Sequence, residues 1–308
     1  LKANDATRNA SSACLSQLSL QVPNMICASA DLCNSDKTDG FLKHTHELKF
    51  GDFSGAFLQA GVAELTMACC CIGMSLHGGV LAACGTFFVF SDYMKPAIRM
   101  AALMELPVKF IWSHDAFRVG EDGPTHEPVE QEAQIRLMEK LKNHSGRNSM
   151  LVMRPADSRA TVECWRLAME NMHTPSALIL SRQTIEDLPA GTPYAGIKHG
   201  AYVVTESDAD YDIILLGNGS EVSTLVAGGL FREQTLDYQQ SIIPAGSKIF
   251  GLTAGLPVNL SGFLIGADPA SRVWGLESFG FSAPYKVLDQ KLGFTAENVY
   301  NQVKEMLA

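Results

Sequence analysis

The sequence predicts an α/β protein with two three-layer α/β/α domains, the first larger than the second. Over the first two-thirds of the chain, short apolar runs alternate with amphipathic helices, which is the pattern of a parallel sheet covered on both faces. The 308 residues, 46% of them hydrophobic, suffice for two cores of ~150 residues each. A stretch rich in proline and glycine should link the domains, which gives boundaries of 1–182, 183–200 (linker) and 201–308.

The first domain should contain five strands separated by helices. Each predicted strand is a short run of apolar, aromatic or β-branched residues, and each predicted helix has apolar residues at helical spacing. The strands are Met25–Ala28, Gly85–Phe90, Val108–Trp112, Met150–Arg154 and Ala177–Ser181. The helices are Ala6–Leu20, Val62–Leu76, Asp92–Met104, Pro128–Lys140 and Arg159–Met172. In the last helix, one apolar stripe is expected to face the core: Val162, Trp165, Met169 and Met172.

The second domain repeats the alternation on a smaller scale. Its predicted strands are Ile213–Leu216, Lys248–Gly251 and Val273–Leu276, and its predicted helices are Glu221–Ala227, Pro284–Leu292 and Ala296–Leu307. Gly217-Asn218-Gly219 follows a strand and precedes a helix, as in a dinucleotide fingerprint. Because Val222 replaces the third glycine of that fingerprint, we interpret the segment as a tight turn and helix cap, with anion binding as the weaker alternative.

Charge and cysteine usage exclude several classes of protein. The net charge of −9 argues against a nucleic-acid partner or a membrane-surface partner, because both are polyanions that most of this surface would repel. No run of 18 apolar, uncharged residues qualifies as a membrane span. The eight cysteines lack the CxxC spacing of a zinc site or redox pair, so we expect buried thiols and no metal ligands. These features predict a cytoplasmic protein.

Residues 114–128 have the composition of a catalytic loop. They follow the apolar run Pro107–Trp112 and contain two histidines, four carboxylates, two glycines and two prolines. Glycine permits positive φ values and proline fixes φ, so together they set the conformation of the loop. Histidine is the side chain whose ordinary pKa lies near neutrality. A polar turn between a strand and a helix is the alternative. Since functional residues concentrate on loops at strand ends, we favour the functional interpretation.

A lone carboxylate is the second candidate. From Phe53 to Ser91, Glu64 is the only formally charged side chain. A carboxylate in so apolar a stretch lies either on an exposed helical turn or in a buried functional position. From the residues alone, the two interpretations are about equally favoured.

The segment HDAFRVGEDGPTHEP, which begins at His114, resembles the signature of the transketolases. In that family a histidine and an aspartate end a strand, and G-E-D-G-P-T-H-x-P follows. Related thiamine diphosphate enzymes share only a looser core of glycine, threonine and histidine. The resemblance extends from Thr7 to Pro284 and is strongest between Ser29 and Gln183. It implies a parallel-sheet, pyrimidine-binding domain followed by a smaller C-terminal domain with a mixed sheet.

The resemblance implies thiamine diphosphate as the cofactor and favours the functional interpretation of Glu64. The family's G-V-x-E-x-x-M segment contains a glutamate that hydrogen-bonds N1′ of the cofactor's aminopyrimidine and promotes its imino tautomer. The residues that match Phe87, Phe90 and Tyr93 form an aromatic pocket around that ring, although core packing is the plainer interpretation. Asp31 resembles an aspartate close to the cofactor, with a turn or helix cap as its alternative.

The resemblance also implies substrate-binding residues. Two arginines and two neutral donors match the family's sugar-phosphate positions and suit a phosphate dianion: Arg8, Ser35, His114 and Arg182. Taken singly, each arginine is more often a surface residue. Asp122 matches the residue that contacts the substrate's C2 hydroxyl, and His126 matches a histidine near the reacting carbonyl, so His126 joins Glu64 as a predicted catalytic residue. We assign no function to the charged run 139–142, which we expect to be a solvated helix face.

These matches imply a transketolase, which transfers a two-carbon ketol unit from a ketose phosphate to an aldose phosphate. The sequence contains no G-D-G followed about thirty residues later by asparagine, the family motif that holds the cofactor's diphosphate through Mg²⁺. We therefore expect this chain to supply the pyrimidine-side half of a site, as a homodimer or paired with an N-terminal half that carries the Mg²⁺ ligands. The alternative is a non-catalytic dimerisation or regulatory module.

One departure from the family lies between Gly228 and Gly229, where its members usually carry the rest of a helix, a strand and a turn. Either residues are missing from this sequence, which we favour because a deletion would remove a sheet strand, or that piece is deleted.

Overall fold

The computed structural model describes residues 1–205, 211–219 and 225–308. The strands of the first domain are β1 (Met25–Ser29), β2 (Phe57–Gln59), β3 (Leu81–Phe87), β4 (Lys109–Ser113), β5 (Leu151–Met153) and β6 (Ser176–Leu180). Its helices are α1 (Thr7–Gln21), α2 (Cys33–Asp36), α3 (Glu64–His77), α4 (Ser91–Leu103), α5 (Gln131–Lys140) and α6 (Ser158–Glu170). Short 3₁₀ helices, Thr38–Lys43, Phe88–Phe90 and Phe117–Val119, lie in the connections.

The six strands of this sheet are all parallel, in the order β2-β1-β3-β4-β6-β5. All residues of the central strand β4 are buried, as expected for a strand covered on both faces. Parallel strands bring their carboxyl ends to one edge of the sheet. The predicted site residues lie at these strand ends or in the segments that follow them, except Arg8, which lies in the first turn of α1.

Helices cover both faces of the sheet. On one face α3 and α4 contribute Met67 and Met94 to the core, and on the other α1 and α6 contribute Leu15 and Trp165. The indole Nε1 of Trp165 donates to Ser11 Oγ at 2.9 Å, which ties α6 to α1. The first domain is therefore the predicted three-layer α/β/α structure.

The second domain is built on a smaller sheet. Its strands are β7 (Ile214–Gly217), β8 (Ile249–Leu252) and β9 (Arg272–Trp274), in that order and all parallel. Its helices are α7 (Gly228–Arg232), α8 (Leu236–Ile242), α9 (Val258–Ser261), α10 (Tyr285–Lys291) and α11 (Ala296–Leu307). No antiparallel strand that would make this sheet mixed lies among the described residues. Gly228 and Gly229 are consecutive residues at the start of α7. None of the described helices is long and apolar enough to cross a membrane.

The sequence located most elements within a few residues but missed some short ones. The predicted strand Gly85–Phe90 begins earlier, at Leu81, and ends at Phe87, because Phe88–Phe90 form a 3₁₀ turn that leads into α4. Strand β2 and the short helices α2, α7, α8 and α9 were not predicted. Residues 221–224 of the predicted helix Glu221–Ala227 lie outside the described residues, and 225–227 are not helical, since Leu225 bridges to Ala201.

Three burial predictions were wrong. Of the predicted apolar stripe, Val162 is 38% exposed and Met172, just beyond α6, is 45% exposed, because the buried face of α6 runs through Ala160, Cys164, Trp165 and Ala168. In α3, Cys69 and Cys70 are exposed although Cys71 is buried, since consecutive helical residues point in different directions. Glu139, expected on a solvated face, is buried and its Oε2 accepts from Arg136 Nη1 at 3.3 Å.

A buried ionic network joins the two domains. Arg154 contacts Glu132 of α5 at 3.1 Å and Asp115, which follows β4, at 2.8 Å. From the second domain, the Nδ2 atoms of Asn218 and Asn259 donate to Glu132 at 2.5 and 3.3 Å. Burial alone would raise the pKa of Glu132, but Arg154 lowers it, so the carboxylate stays ionised. Side chains from both domains therefore contribute to this network. The domain boundary near residue 183 stays a prediction.

Candidate active site

The candidate site lies at the carboxyl edge of the parallel sheet, between β1 and β3. The sheet order places β2 on one side of β1 and β4 on the far side of β3, so the direction of winding reverses between these two strands. Ligands of open α/β sheets bind in the crevice at such a point. Ala30 and Phe90, which follow β1 and β3, line a cavity here.

This cavity has a volume of about 510 Å³. Its walls are mainly apolar, with one carboxyl and two aromatic side chains: Ala30, Leu32, Val62, Ala63, Glu64, Leu65, Thr66, Phe90 and Tyr93. Three of the residues predicted to bind the cofactor, Glu64, Phe90 and Tyr93, therefore share one cavity. Asp31 lies between two lining residues in the sequence, but it is exposed and adopts a left-handed φ of 66°. An apolar cavity with few polar groups is typical of a small-molecule site.

Glu64 begins α3 at the cavity wall, and it is only 7% exposed. The turn before it depends on Gly61, whose φ is 70° and whose carbonyl accepts from the N–H of Ala63 at 2.8 Å. The partial positive charge at the amino end of a helix favours a carboxylate at this position. The structure thus excludes an exposed helical turn for Glu64, and its function stays a prediction.

An aromatic cluster connects the cavity to both histidines of the loop. Phe87 is buried and stacks on His114, with ring centroids 3.6 Å apart, so it lies behind the cavity and not among its lining residues. Phe90 packs edge-to-face with His126, with ring centroids 5.3 Å apart, and stacks with Tyr93, with ring centroids 6.1 Å apart. Such ring pairs contribute roughly 0.5–1.5 kcal/mol each beyond the buried area, which fixes the ring positions.

His114 is held as a neutral imidazole. Its φ of 61° turns the chain sharply after β4, and its Nδ1 lies 2.8 Å from Ser113 Oγ. Burial, followed by repulsion from Arg8 and Arg182, lowers the pKa of His114 to about 2. Nε2 lies 3.4 Å from Arg8 Nη1, which can only donate, so we assign the proton to Nδ1 and the acceptor role to Nε2.

Arg8 contacts Ser35 and His114, and the charge of Arg182 acts on both Arg8 and His114. Arg8 Nη1 donates to the backbone carbonyl of Ser35 at 2.7 Å, so the main chain and not the hydroxyl of Ser35 makes this contact. Burial lowers the pKa of Arg8, and repulsion from Arg182 lowers it further. Two guanidinium groups that repel each other favour an anion between them.

Asp122 and His126 lie on the loop 120–127, which we call the site loop. Gly120 and Gly123 adopt φ values of 99° and 75°, which side chains other than glycine rarely tolerate. His126 is half-buried, with Nδ1 2.8 Å from Thr125 Oγ1. Asp122 is exposed, and no hydrogen bond among the described residues joins it to the other predicted site residues. The site loop thus brings His126 to the aromatic cluster but leaves Asp122 at the surface.

Asp36 belongs to this site, although sequence reasoning missed it. It is 1% exposed, its Oδ1 accepts from the N–H and hydroxyl of Thr38 at 2.8 and 2.7 Å, and its Oδ2 accepts from Ser29 at 2.8 Å. Burial raises the pKa of Asp36 to about 6. These bonds fix the turn that presents the carbonyl of Ser35 to Arg8. Within the polar stretch 34–37, an exposed turn was the natural expectation.

Metal binding was not expected from this chain. Within residues 1–205, 211–219 and 225–308, no group of three or more His, Cys, Asp or Glu side chains is placed to hold a metal ion.

Comparison with known proteins identifies two family models along the chain. The transketolase pyrimidine-binding domain matches residues 4–187, and the transketolase-like C-terminal domain matches residues 226–295. The chain is similar to a transketolase of Halalkalibacterium halodurans, with 37% identity over 326 residues. That alignment covers 98% of this chain and 46% of the relative, so the chain spans about half the length of the relatives it matches.

Solved structures of transketolases are also similar to this chain in fold. The transketolase of Pichia stipitis in complex with sedoheptulose-7-phosphate is similar, with a TM-score of 0.87 and 30% identity over 99% of this chain and 46% of that one. A chain described as a split gene transketolase, an inactive β4 tetramer, has a TM-score of 0.71 and 22% identity, with 98% of both chains covered. At that identity the second likeness concerns the fold alone.

Proposed function

The chain belongs to the transketolase family, and on that premise we propose that it supplies the pyrimidine-side half of a transketolase active site. The complete enzyme would transfer a two-carbon ketol unit from a ketose phosphate to an aldose phosphate, with thiamine diphosphate as cofactor. Because the chain spans about half the length of its relatives, we assign the activity to an assembly and not to the isolated chain.

The observation that carries this proposal is the cavity in which Glu64 meets Phe90 and Tyr93. An aminopyrimidine has apolar faces and hydrogen-bonding edges, and the cavity has aromatic and aliphatic walls with a single carboxyl. The residues therefore fit the pyrimidine end of the cofactor. When bound, thiamine diphosphate supplies an electron sink for cleaving and forming the bond next to a carbonyl.

Within this proposal, Glu64 holds a proton at N1′ of the pyrimidine ring. Its carboxyl lies at the cavity wall, and a carboxylate can accept and return such a proton. Phe90 and Tyr93 orient the ring by contact with its face and edge, and Asp31 contacts the cofactor from the end of β1. Phe87 acts indirectly, because it stacks on His114 and not on the cavity wall.

Sugar phosphates are the proposed substrates. Arg8 and Arg182 would bind the phosphate dianion, with the Ser35 hydroxyl as a neutral donor. His114 is neutral and its Nε2 faces Arg8, so we assign it to orient that guanidinium and to contact the phosphate end of the sugar. The relative from Pichia stipitis, which holds a seven-carbon sugar phosphate, supports this substrate class.

The site loop would act at the other end of the sugar. His126 lies at the edge of Phe90, next to the cavity, and we assign it to proton transfer at the reacting carbonyl and hydroxyls. Asp122 is proposed to contact the C2 hydroxyl. Asp122 is exposed in this structure, so its side chain is accessible to a substrate.

The diphosphate and its Mg²⁺ are proposed to bind a second polypeptide half. The relatives that this chain matches are about twice its length, so a second half of the site, on the same or another polypeptide, fits the family. The assembly would then be either a homodimer of complete chains or a pairing of this chain with an N-terminal half.

Calorimetric titration with thiamine diphosphate, with and without Mg²⁺, tests this proposal. The isolated chain should bind the cofactor weakly and with little dependence on Mg²⁺, because the ring contacts alone hold it. Addition of a diphosphate-binding half encoded in the same genome should produce tight, Mg²⁺-dependent binding and ketol transfer. No transfer with any such half would instead favour a non-catalytic dimerisation or regulatory module. Micromolar, Mg²⁺-dependent binding by the isolated chain would show that the proposed division of the site is wrong.

A further inference from the structure

The segment that carries the site loop is anchored at both ends in the core of the second domain. Before the loop, Ala116 and Phe117 are buried, and after it Val129 is 5% exposed. All three belong to the same apolar cluster as Phe250 and Leu276 of the second domain. The ends of the loop are therefore packed in the core of the second domain, although the loop lies within residues 1–182.

A short segment of the second domain, Gly280–Ala283, covers the middle of the site loop. Ser282 Oγ donates to the carbonyl of Glu121 at 2.5 Å. A β-carbon placed on Gly123 would lie 3.0 Å from the β-carbon of Ser282, and one placed on Gly120 would lie 3.6 Å from the carbonyl oxygen of Ala283. Backbone of one domain thus packs on backbone of the other around Asp122.

Glu127 fills the next position along this contact. It is 2% exposed, and neither carboxyl oxygen has a well-formed hydrogen bond among the described residues. A β-carbon placed on Gly280 would overlap Oε2 of Glu127, so the carboxyl, which is buried, would have to shift. Burial raises the pKa of Glu127 to about 7, partly offset by the backbone amide of Phe281, so the neutral carboxyl is well populated at neutral pH.

We propose that Glu127 is a positioning residue, which fits against Gly280 and thereby lets the second domain hold His126 at the aromatic cluster. Glu127 directly follows His126, so any displacement of its side chain is passed to that histidine through one peptide unit. This inference rests on the role proposed above for His126. The second domain then contributes to the geometry of the site without touching the substrate.

Hydrogen–deuterium exchange of the full chain, without cofactor, tests the proposal. Gly280→Ala should speed exchange in residues 120–127 by about tenfold or more, because an overfilled contact opens the loop. Exchange in β4 and β6 should not change. Gly262→Ala is the matched control, since its new β-carbon would meet only the flexible end of Arg232, at 3.2 Å.

Rescue separates positioning from general damage. Glu127→Ala in the Gly280→Ala background makes room for the new methyl group and should restore most of the protection of the site loop. Glu127→Gln, a neutral side chain of the same size, should keep that protection. Should Gly280→Ala not fold, Glu127→Ala alone should loosen the loop by leaving a cavity.

Three results would overturn the proposal. They are unchanged loop exchange in both Gly280→Ala and Glu127→Ala, equal acceleration throughout the first sheet, and no recovery in the double variant. None of these measurements requires ketol transfer, so failure of the proposed function and failure of this inference are distinguishable.

Discussion

Replacement of Asp36 by asparagine should remove a pH dependence from the stability of this protein. Asp36 is buried beside Ser35, and burial raises the pKa of its carboxyl from the usual 3.8 to about 6. The asparagine would keep the size of the side chain and a hydrogen-bonding group toward Ser29, but it cannot ionise. The two proteins therefore differ mainly in whether the side chain at position 36 can ionise.

The sign follows from the raised pKa. Below about pH 3.8 the carboxyl is protonated in both the folded and unfolded wild type, and its contribution to stability is complete. Between about pH 3.8 and 6 the unfolded chain loses the proton while the folded chain retains it, so the free energy of unfolding falls. A rise from 3.8 to about 6 corresponds to a loss of about 3 kcal/mol relative to the asparagine variant, complete above pH 6.

Urea unfolding at a series of pH values from about 4 to 7.5 would measure this difference. Trp112 and Trp165, both buried in the first domain, report its unfolding by fluorescence. Glu105→Gln is a control of opposite sign at the acid end of the series, because hydrogen bonds from Ser145 lower the pKa of Glu105, so its wild-type contribution falls as the pH drops below about 4.5 and is constant above it. A difference between Asp36→Asn and wild type that stays constant over this range would refute the reasoning.

Three further changes have defined outcomes. Glu64→Gln, in the assembly with a diphosphate-binding half, should lower kcat by about 10²–10⁴-fold, because an amide cannot accept the proton at N1′. Arg182→Ala should raise KM for phosphorylated sugars, since a charge-assisted hydrogen bond contributes roughly 1.5–3 kcal/mol, and it should hardly affect an unphosphorylated ketol donor. In the isolated chain, Cys69 and Cys70 are exposed and should react with a thiol reagent well before Cys27, whose pKa is raised by complete burial.

Each of these outcomes has a clear contrary. Turnover of the Glu64 variant close to that of the wild type, at saturating cofactor, would remove Glu64 from the mechanism. Equal losses for phosphorylated and unphosphorylated donors would show that Arg182 is structural. If Cys27 were labelled as fast as Cys69 under native conditions, the burial of β1 would be wrong.

The fold was predictable where the spacing of apolar residues stayed regular over many residues. Helix α11, with its apolar residues at helical spacing, has the predicted bounds, and β4 shifts by a single residue. Strand β2 was missed because it has only three residues, between Gly55 and Gly61, and gains its partner only when β1 is present. The run from Phe87 to Phe90 has strong strand propensity, but the start of α4 imposes a 3₁₀ turn on it, a tertiary effect that propensity cannot show.

The site was predictable only in part, because a local motif identifies residues but not their contacts. Glu64 was noticed as the one charge in an apolar stretch, and the cavity wall contains it. Asp36 gave no such signal, since it stands in a polar stretch where an exposed turn is the ordinary expectation. Glu127 lies in the segment interpreted as functional, but nothing in that segment predicted its burial. Their burial depends on Thr38 and on Gly280, of which the second lies 153 residues away in the chain.

Phe117 belongs by sequence to the first domain, yet its ring is fully buried in the core of the second, 4.7 Å from Phe294. A Phe side chain buries on the order of 150–250 Å², so a cut near residue 183 would expose that surface on one piece and leave a cavity in the other. Domain exchange between relatives would meet the same obstacle, because a foreign second domain would have to accommodate this ring. Recombination and protein engineering should therefore avoid a junction near residue 183.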